Sequence, residues 1–374
     1  MSPDTRKPPA LTDEQAAWVH AVPRFAQRVV TWQKNFGRHD LPWQGTTDPY
    51  RIWVSEVMLQ QTQVETVKAY YGRFLERFPK VTDLARARPK TVLRHFAGLG
   101  YYARARNLHE AARQVMKKGG DFPTRLEALL ALPGIGLSTA GAILSLSQDV
   151  PHPVLDGNVR RLLARLYLGR DPERTARETS RLWALAQALL PKQDARIYTQ
   201  GVMDLGALRC RPRDPDCNHC PFAEDCPYPG IPHIRRKKTA SVRSAHPIRR
   251  IKLLLIRKGG RLLLERRPPQ GIWGGMSCLP EISPQDSPER WFRKLGARPG
   301  GRLVRHPALR HPLTHLELHI EVYEMEVGEN AGGLPNRPTR WVGEGKLGAE
   351  PLPRPIQRFL AEWRQALEGG ERVR

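Results

Sequence analysis

Residues 130–147 read LALPGIGLSTAGAILSLS: helix, tight Gly-x-Gly turn, helix. Glycines let the backbone turn sharply enough for its N–H groups, with the N-terminus of the next helix, to hold a phosphate. Alone, LPGIG is also the sequence of an ordinary αα-hairpin, so the surroundings decide. From about Glu14 to about Leu208 the chain reads as consecutive helices, with apolar residues three and four apart, as in Ile52, Val57, Leu59, Val64, Val67, Tyr71 and Phe74. Breaks fall at Phe78-Pro79, Gly98-Leu99-Gly100, Gly119-Gly120, Pro133-Gly134 and Gly169.

Cys210, Cys217, Cys220 and Cys226 close this helical unit, spaced C-x6-C-x2-C-x5-C within 17 residues. Four thiolates suit zinc or an iron–sulfur cube. Structural zinc usually takes two C-x(2–4)-C knuckles brought together from a distance, and only Cys217 and Cys220 form one. The compact run resembles the 4Fe-4S loop of the endonuclease III superfamily of DNA glycosylases. The glycine turn resembles the helix-hairpin-helix element of that superfamily, with Gly134 and Gly136 at the phosphate-binding turn.

Composition fits a nucleic-acid partner. The chain of 374 residues carries 61 Lys+Arg against 37 Asp+Glu, a formal net charge of +24. Such an excess attracts phosphate backbones and releases counterions on binding. No apolar run approaches the ~18 residues of a membrane span. The start, MSPDTRKPPALTDEQ, has no apolar h-region and reads as no signal peptide. Five cysteines with a thiolate cluster point to a reducing cytosol, and the resemblance to DNA glycosylases implies a bacterial cytoplasm with association to the nucleoid.

The longest resemblance runs through Leu41-Pro42-Trp43 and from Asp48 through Glu56, Leu59, Gln60, Gln61 and Thr62 to Val64, then through Gly98–Asn107. It is similar to the signature of MutY-type adenine DNA glycosylases, which remove adenine mispaired with 8-oxoguanine. The resemblance implies Glu56 and Asp156 as the catalytic carboxylates, with Asn158 orienting Asp156. It also implies Gln61 and Tyr101 as wedges in double-stranded DNA, Leu59 and Thr62 near 8-oxoguanine, and Trp43 as a wall of the adenine pocket. Asp204 matches another acid near the family's site.

The chemistry makes sense of two carboxyls. Adenine leaves poorly unless protonated, and breaking its bond to C1′ leaves an oxocarbenium-like sugar. One acid must donate and one carboxylate must face the positive charge. Glu56 lies in an apolar stretch where burial would raise its pKa. Asp156, near a helix start, is expected to stay ionised, and it also reads as a helix N-cap. Superfamily members that nick DNA through a Schiff base carry a Lys two residues after the second hairpin glycine. Ser138 stands there, so a monofunctional enzyme is expected. Arg160 replaces a Lys that traps abasic product in some relatives.

Residues 227–247 are proline-bearing and basic, a linker composition. The expected domains are therefore a mainly α helix-hairpin-helix glycosylase domain at 1–226, this linker, and an α+β Nudix-like domain at 248–370. In the last, Ile251–Arg257 and Arg261–Glu265 flank Lys258-Gly259-Gly260 as a β-hairpin. Further strands are expected at 301–304 and 316–327, with helices at 288–295 and 355–367. Leu264–Met276 resembles the family's 8-oxoguanine-reading domain, and Thr314 and His315 match its recognition loop, where Leu313 replaces a Phe. No Nudix hydrolase box is found around 281–296, and Cys278 is expected to be buried. The expectation is a monomer acting on A:8-oxoguanine or A:G mispairs. The alternatives are an endonuclease III-like glycosylase/AP lyase and a non-catalytic iron–sulfur DNA-binding protein.

Overall fold

The structure, a computed structural model, describes residues 21–228, 247–295, 302–313, 316–334 and 336–368. Most of the linker expected at 227–247 and both Thr314 and His315 lie outside these residues. Eleven helices precede the cysteine loop in the described residues: α1 (Phe25–Phe36), α2 (Pro49–Leu59), α3 (Val64–Arg77), α4 (Val81–Arg86), α5 (Pro89–Phe96), α6 (Ala103–Lys117), α7 (Leu126–Leu130), α8 (Leu137–Gln148), α9 (Gly157–Leu168), α10 (Ala176–Ala188) and α11 (Ala195–Asp204).

Local chemistry sets the ends of these helices. Asp48 caps α2 by accepting from the amides of Tyr50 and Arg51, and Pro49 occupies the first turn, where its missing N–H costs nothing. Asp156 caps α9, and Gly169 ends it in the left-handed region at φ 65°. The chain divides into two compact units. The first holds residues up to Arg86 and from Asn107 through the cysteine loop. Its core includes Phe25, Val29, Leu162, Leu163, Leu182, Leu185, Val202 and Phe222.

The second unit joins an interior segment of the chain to its end: Ala87–Arg106 group with the described residues from 247 onward. Its sheet is built from β1 (Ile248–Lys258), β2 (Arg261–Arg266), β3 (Ser277–Cys278), β4 (Glu281–Ile282), β5 (Val304–Arg305), β6 (Leu309–Pro312), β7 (Glu317–Glu326) and β8 (Thr339–Gly343). Helices α12 (Pro288–Lys294) and α13 (Arg354–Glu368) accompany it. The expected hairpin is β1 and β2, turning through Gly259 and Gly260 at φ 48° and 69°. β1 also pairs in parallel with β7 along its whole length, and β8 adds to β2. Cys278 is fully buried, as is its neighbour Leu279.

Candidate active site

Helix α2 buries Ile52, Trp53, Val54, Ser55, Val57 and Met58, which leaves Glu56 among apolar neighbours. Burial first, and then the charge of Asp156, raises the Glu56 carboxyl from 4.5 to about 7. The two carboxyls therefore act on one another. Asp156 Oδ1 accepts from the amides of Asn158 (3.0 Å) and Val159 (2.8 Å). Burial pushes Asp156 upward too, against the lowering effect of those two amides and of Arg161.

The glycine turn supports this carboxyl from behind. Gly134 has φ 83°, and a Cβ there would come within 2.8 Å of Asn107 Cβ. Gly136 precedes α8, and its carbonyl accepts from Ala140 at 2.9 Å. Ser138 Oγ accepts from the Leu155 amide at 3.0 Å, tying the first turn of α8 to the residue before Asp156. Helix α8 runs close by: a Cβ on Gly141 would lie 2.3 Å from the Pro153 carbonyl oxygen. Gln60 Nε2 reaches Thr139 Oγ1 at 3.5 Å, which joins the end of α2 to the same helix. Past it, Gln61 takes φ 55° and is exposed. Leu59 and Thr62 are half-buried on either side of that bend. Tyr101, at φ 46°, belongs to the second unit.

Trp43, buried edge-on against Tyr71 at 5.6 Å, lines a cavity of about 400 Å³ together with Gln33, Gln44, Ile52, Ser55 and Gln200. Asp204 organises this cavity. It is fully buried and accepts from the Arg38 amide (2.9 Å), Arg38 Nε (3.0 Å), Gln200 Nε2 (2.9 Å) and Gln33 Nε2 (3.3 Å). Both carboxamides point their N–H groups at Asp204, and the buried Gln33 Oε1 has no partner. Sequence reasoning noticed Asp204 but missed Gln33, Arg38 and Gln200. Only the i, i+4 spacing of Gln200 and Asp204 on α11 offered a signal.

A second network ties the cysteines to the carboxyl. Arg161 Nη2 donates to Asn158 Oδ1 (2.9 Å) and to the Gly206 carbonyl (2.6 Å), and its Nε donates to the Cys210 carbonyl (2.6 Å). Arg165 donates to the Arg211 carbonyl at 2.7 Å and to Cys210 Sγ at 3.6 Å. Asn158, Arg161 and Arg165 stand three and four apart, on one face of α9. Cys210, Cys217, Cys220 and Cys226 line one pocket, walled by Leu162, Leu166, Phe222 and Tyr228. Burial, then the nearby sulfurs, pushes the Cys220 thiol up to about 11. Four soft sulfur donors in one apolar pocket suit a thiolate-bound group, and among the described residues no three of them are gathered as a metal-binding array. Arg160 donates to Thr179 Oγ1 at 3.0 Å, away from these groups.

Glu56, which feels the charge of Asp156, lies in the same unit as the glycine-turned helical hairpin. Residues 54–185 match the family model described as HhH-GPD superfamily base excision DNA repair protein, and residues 252–362 match the NUDIX domain model. The adenine DNA glycosylase of Buchnera aphidicola (subsp. Baizongia pistaciae) is 32% identical over 340 residues, covering 90% of this chain and 96% of that protein. That of Mus musculus is 32% identical over 383 residues, covering 86% and 74%. A solved structure of a thermostable thymine-DNA glycosylase superposes with TM-score 0.51 at 30% identity, over 58% of this chain and 98% of that one. The chain belongs to the adenine DNA glycosylase family. It is an N-glycosyl hydrolase of base excision repair that acts on DNA.

Proposed function

We propose that this enzyme excises adenine opposite 8-oxoguanine, or opposite guanine, with Glu56 as general acid and Asp156 facing the oxocarbenium-like sugar. The observation that carries the reading is Glu56 itself, a half-buried carboxyl among apolar neighbours, raised to about 7 by that environment and by Asp156. Near neutral pH it holds a proton part of the time, which is what a donor to a poor leaving group needs. As base and sugar separate, Asp156 supplies negative charge from a fixed, amide-held position. Glu56, then deprotonated, is suited to take a proton from the attacking water.

The adenine must leave the duplex to reach these groups. Gln61 and Tyr101, both in bends with positive φ, are the proposed wedges, with Leu59 and Thr62 beside the opposite base. Trp43 walls the pocket. Gln200 lines the same pocket with one N–H on Asp204, and its carboxamide oxygen suits a base edge that offers an exocyclic amine. Gly134, Gly136 and Ser138 form the proposed phosphate-side turn. With Ser138 in place of a lysine, no amine on that turn can form a Schiff base, so the enzyme is read as monofunctional.

Cys210, Cys217, Cys220 and Cys226 would hold a 4Fe-4S cluster, whose role in this reading is to stiffen the loop that α9 leans on. The functional division is proposed as 1–226, 227–247 and 248–370, with Thr314 and His315 reading 8-oxoguanine. A monomer in a bacterial cytoplasm, associated with the nucleoid, completes the reading. Among the described residues no helix is long and apolar enough to cross a membrane. A single-turnover assay on duplexes carrying A:8-oxoguanine, A:G and thymine glycol tests the substrate. Preference for thymine glycol would overturn it.

A further inference from the structure

The turn from Pro268 to Met276 is built around glycine. Gly271 and Gly275 have φ of 86° and 78°. A Cβ on Gly274 would come within 2.3 Å of the Pro269 carbonyl oxygen. The amides point into the turn, as Gly275 N donates to the Pro268 carbonyl at 3.0 Å and Met276 N to the Trp273 carbonyl at 3.1 Å. The Gly274 carbonyl instead accepts from Arg106 Nη1 at 2.6 Å. A Cβ on Gly275 would touch Leu93 Cδ1 at 3.6 Å and Arg106 Cδ at 3.7 Å, so the turn lies flat against both residues.

A second attachment lies at Glu350, which is 4% exposed. Its Oε1 accepts from Lys90 Nζ at 2.5 Å, and its Oε2 accepts from Ser277 Oγ at 3.1 Å and pairs with Arg340. A carboxylate this buried needs its partners, and with three of them it has one defined position. The two attachments bracket a stiff bend. Gly98, Gly100 and Tyr101 have φ of 111°, 74° and 46°. Arg104, 8% exposed, donates from Nη2 to the carbonyls of Leu99 (3.0 Å) and Gly100 (3.1 Å), and its guanidinium lies 5.9 Å from the Tyr101 ring. Tyr101 itself is 41% exposed at the tip.

We propose that Lys90 and Arg106 are positioning residues that clamp the Tyr101 bend onto the sheet unit through Glu350 and the Gly274 carbonyl. Tyr101 then meets DNA as part of the unit that reads the opposite strand, and its insertion depends on what that unit finds. The proposal rests on the reading of Tyr101 as a DNA-contacting wedge and of the sheet unit as the 8-oxoguanine reader.

The test uses the full-length protein and duplexes with 2′-fluoro-adenosine, which resists cleavage, opposite 8-oxoguanine or guanine. Dissociation constants are measured for Lys90→Met, Arg106→Met and Tyr101→Ala, and for each of the first two combined with the third. Thermal melting checks folding, Lys90→Arg and Arg106→Lys serve as rescue variants, and Lys90→Gln and Arg106→Gln replace any methionine variant that melts early. The expected result is that the preference for 8-oxoguanine narrows by about fivefold or more in the methionine variants. Adding Tyr101→Ala should change it no further, and Lys90→Arg should restore it. If Tyr101→Ala narrows the preference but the methionine variants do not, or if the effects simply add, the clamp is wrong. If Tyr101→Ala changes nothing, the reading of Tyr101 fails, and the clamp with it.

Discussion

Ser138 Oγ accepts a hydrogen bond from the Leu155 amide at 3.0 Å, so the residue that replaces a lyase lysine is tied to the backbone just before Asp156. Ser138→Ala leaves that amide without its partner. The expected outcome is a single-turnover rate lowered by about 2- to 10-fold, since one lost hydrogen bond is worth roughly 0.5–1.5 kcal/mol. Borohydride should trap little covalent DNA with the parent enzyme, and strand breaks should appear only after alkali. Trapping as efficient as a lyase's would show that an amine elsewhere attacks the sugar.

The two carboxyls should fail in distinguishable ways. Glu56→Gln cannot deliver a proton, and base departure should fall by about 10²–10⁴-fold or more. Asp156→Asn should also be severe, because it removes the charge facing the sugar. Asn caps a helix about as well as Asp, so Asp156→Asn should melt within a degree or two of the parent, whereas Asp156→Ala should lose about 1 kcal/mol of stability. DNA affinity should survive all three changes. Near-normal cleavage by either isosteric variant would remove that carboxyl from the mechanism.

The pH profile follows from Glu56. Its proton is present below about 7 and lost above, so the single-turnover rate should decline on the alkaline side of that value. The sign for stability is the same. A carboxyl whose folded pKa is above its unfolded one contributes most below the unfolded value and loses that contribution as pH rises through the folded one. The melting temperature of the parent relative to Glu56→Gln should therefore drop between pH 4.5 and about 7 and level off beyond. A flat difference across that window would mean that Glu56 is not buried as a neutral acid.

The cavity beside Trp43 predicts a base preference. With an N–H of Gln200 held by Asp204, its carboxamide oxygen favours an exocyclic amine over a carbonyl. Hypoxanthine opposite 8-oxoguanine should be excised at least about 10-fold more slowly than adenine, the cost of facing acceptor with acceptor. Asp204→Asn should narrow this ratio by freeing the carboxamide to flip. Equal rates on both bases in the parent would remove Gln200 from recognition.

Protein purified without oxygen should be yellow-brown and hold about four irons per chain. Colourless protein with one equivalent of zinc would reassign the cysteine loop. Cys210→Ser is expected to lower cluster content and, through the Arg161 contact to the Cys210 carbonyl and Asn158, to slow base excision as well.

Local pattern was enough to read much of this protein from its residues. The three-and-four spacing of apolar residues announced the helices, Asp156 was legible as a helix cap, and Lys258-Gly259-Gly260 marked the hairpin of β1 and β2. These features depend on neighbours within one or two turns of chain, where spacing and backbone freedom decide. Other features needed the fold. The partner of β1 along its full length is β7, some 70 residues on, and β8 at Thr339–Gly343 is too short to announce itself. The upward shift of Asp156 comes from burial that no local spacing displays. Asp204 gathers Arg38 and Gln33 from over 160 residues away. Ala87–Arg106 join the sheet unit although the chain on both sides belongs to the helical one. Burial and long-range pairing are set by which surfaces meet when the chain closes, and that meeting leaves no periodic mark in the sequence.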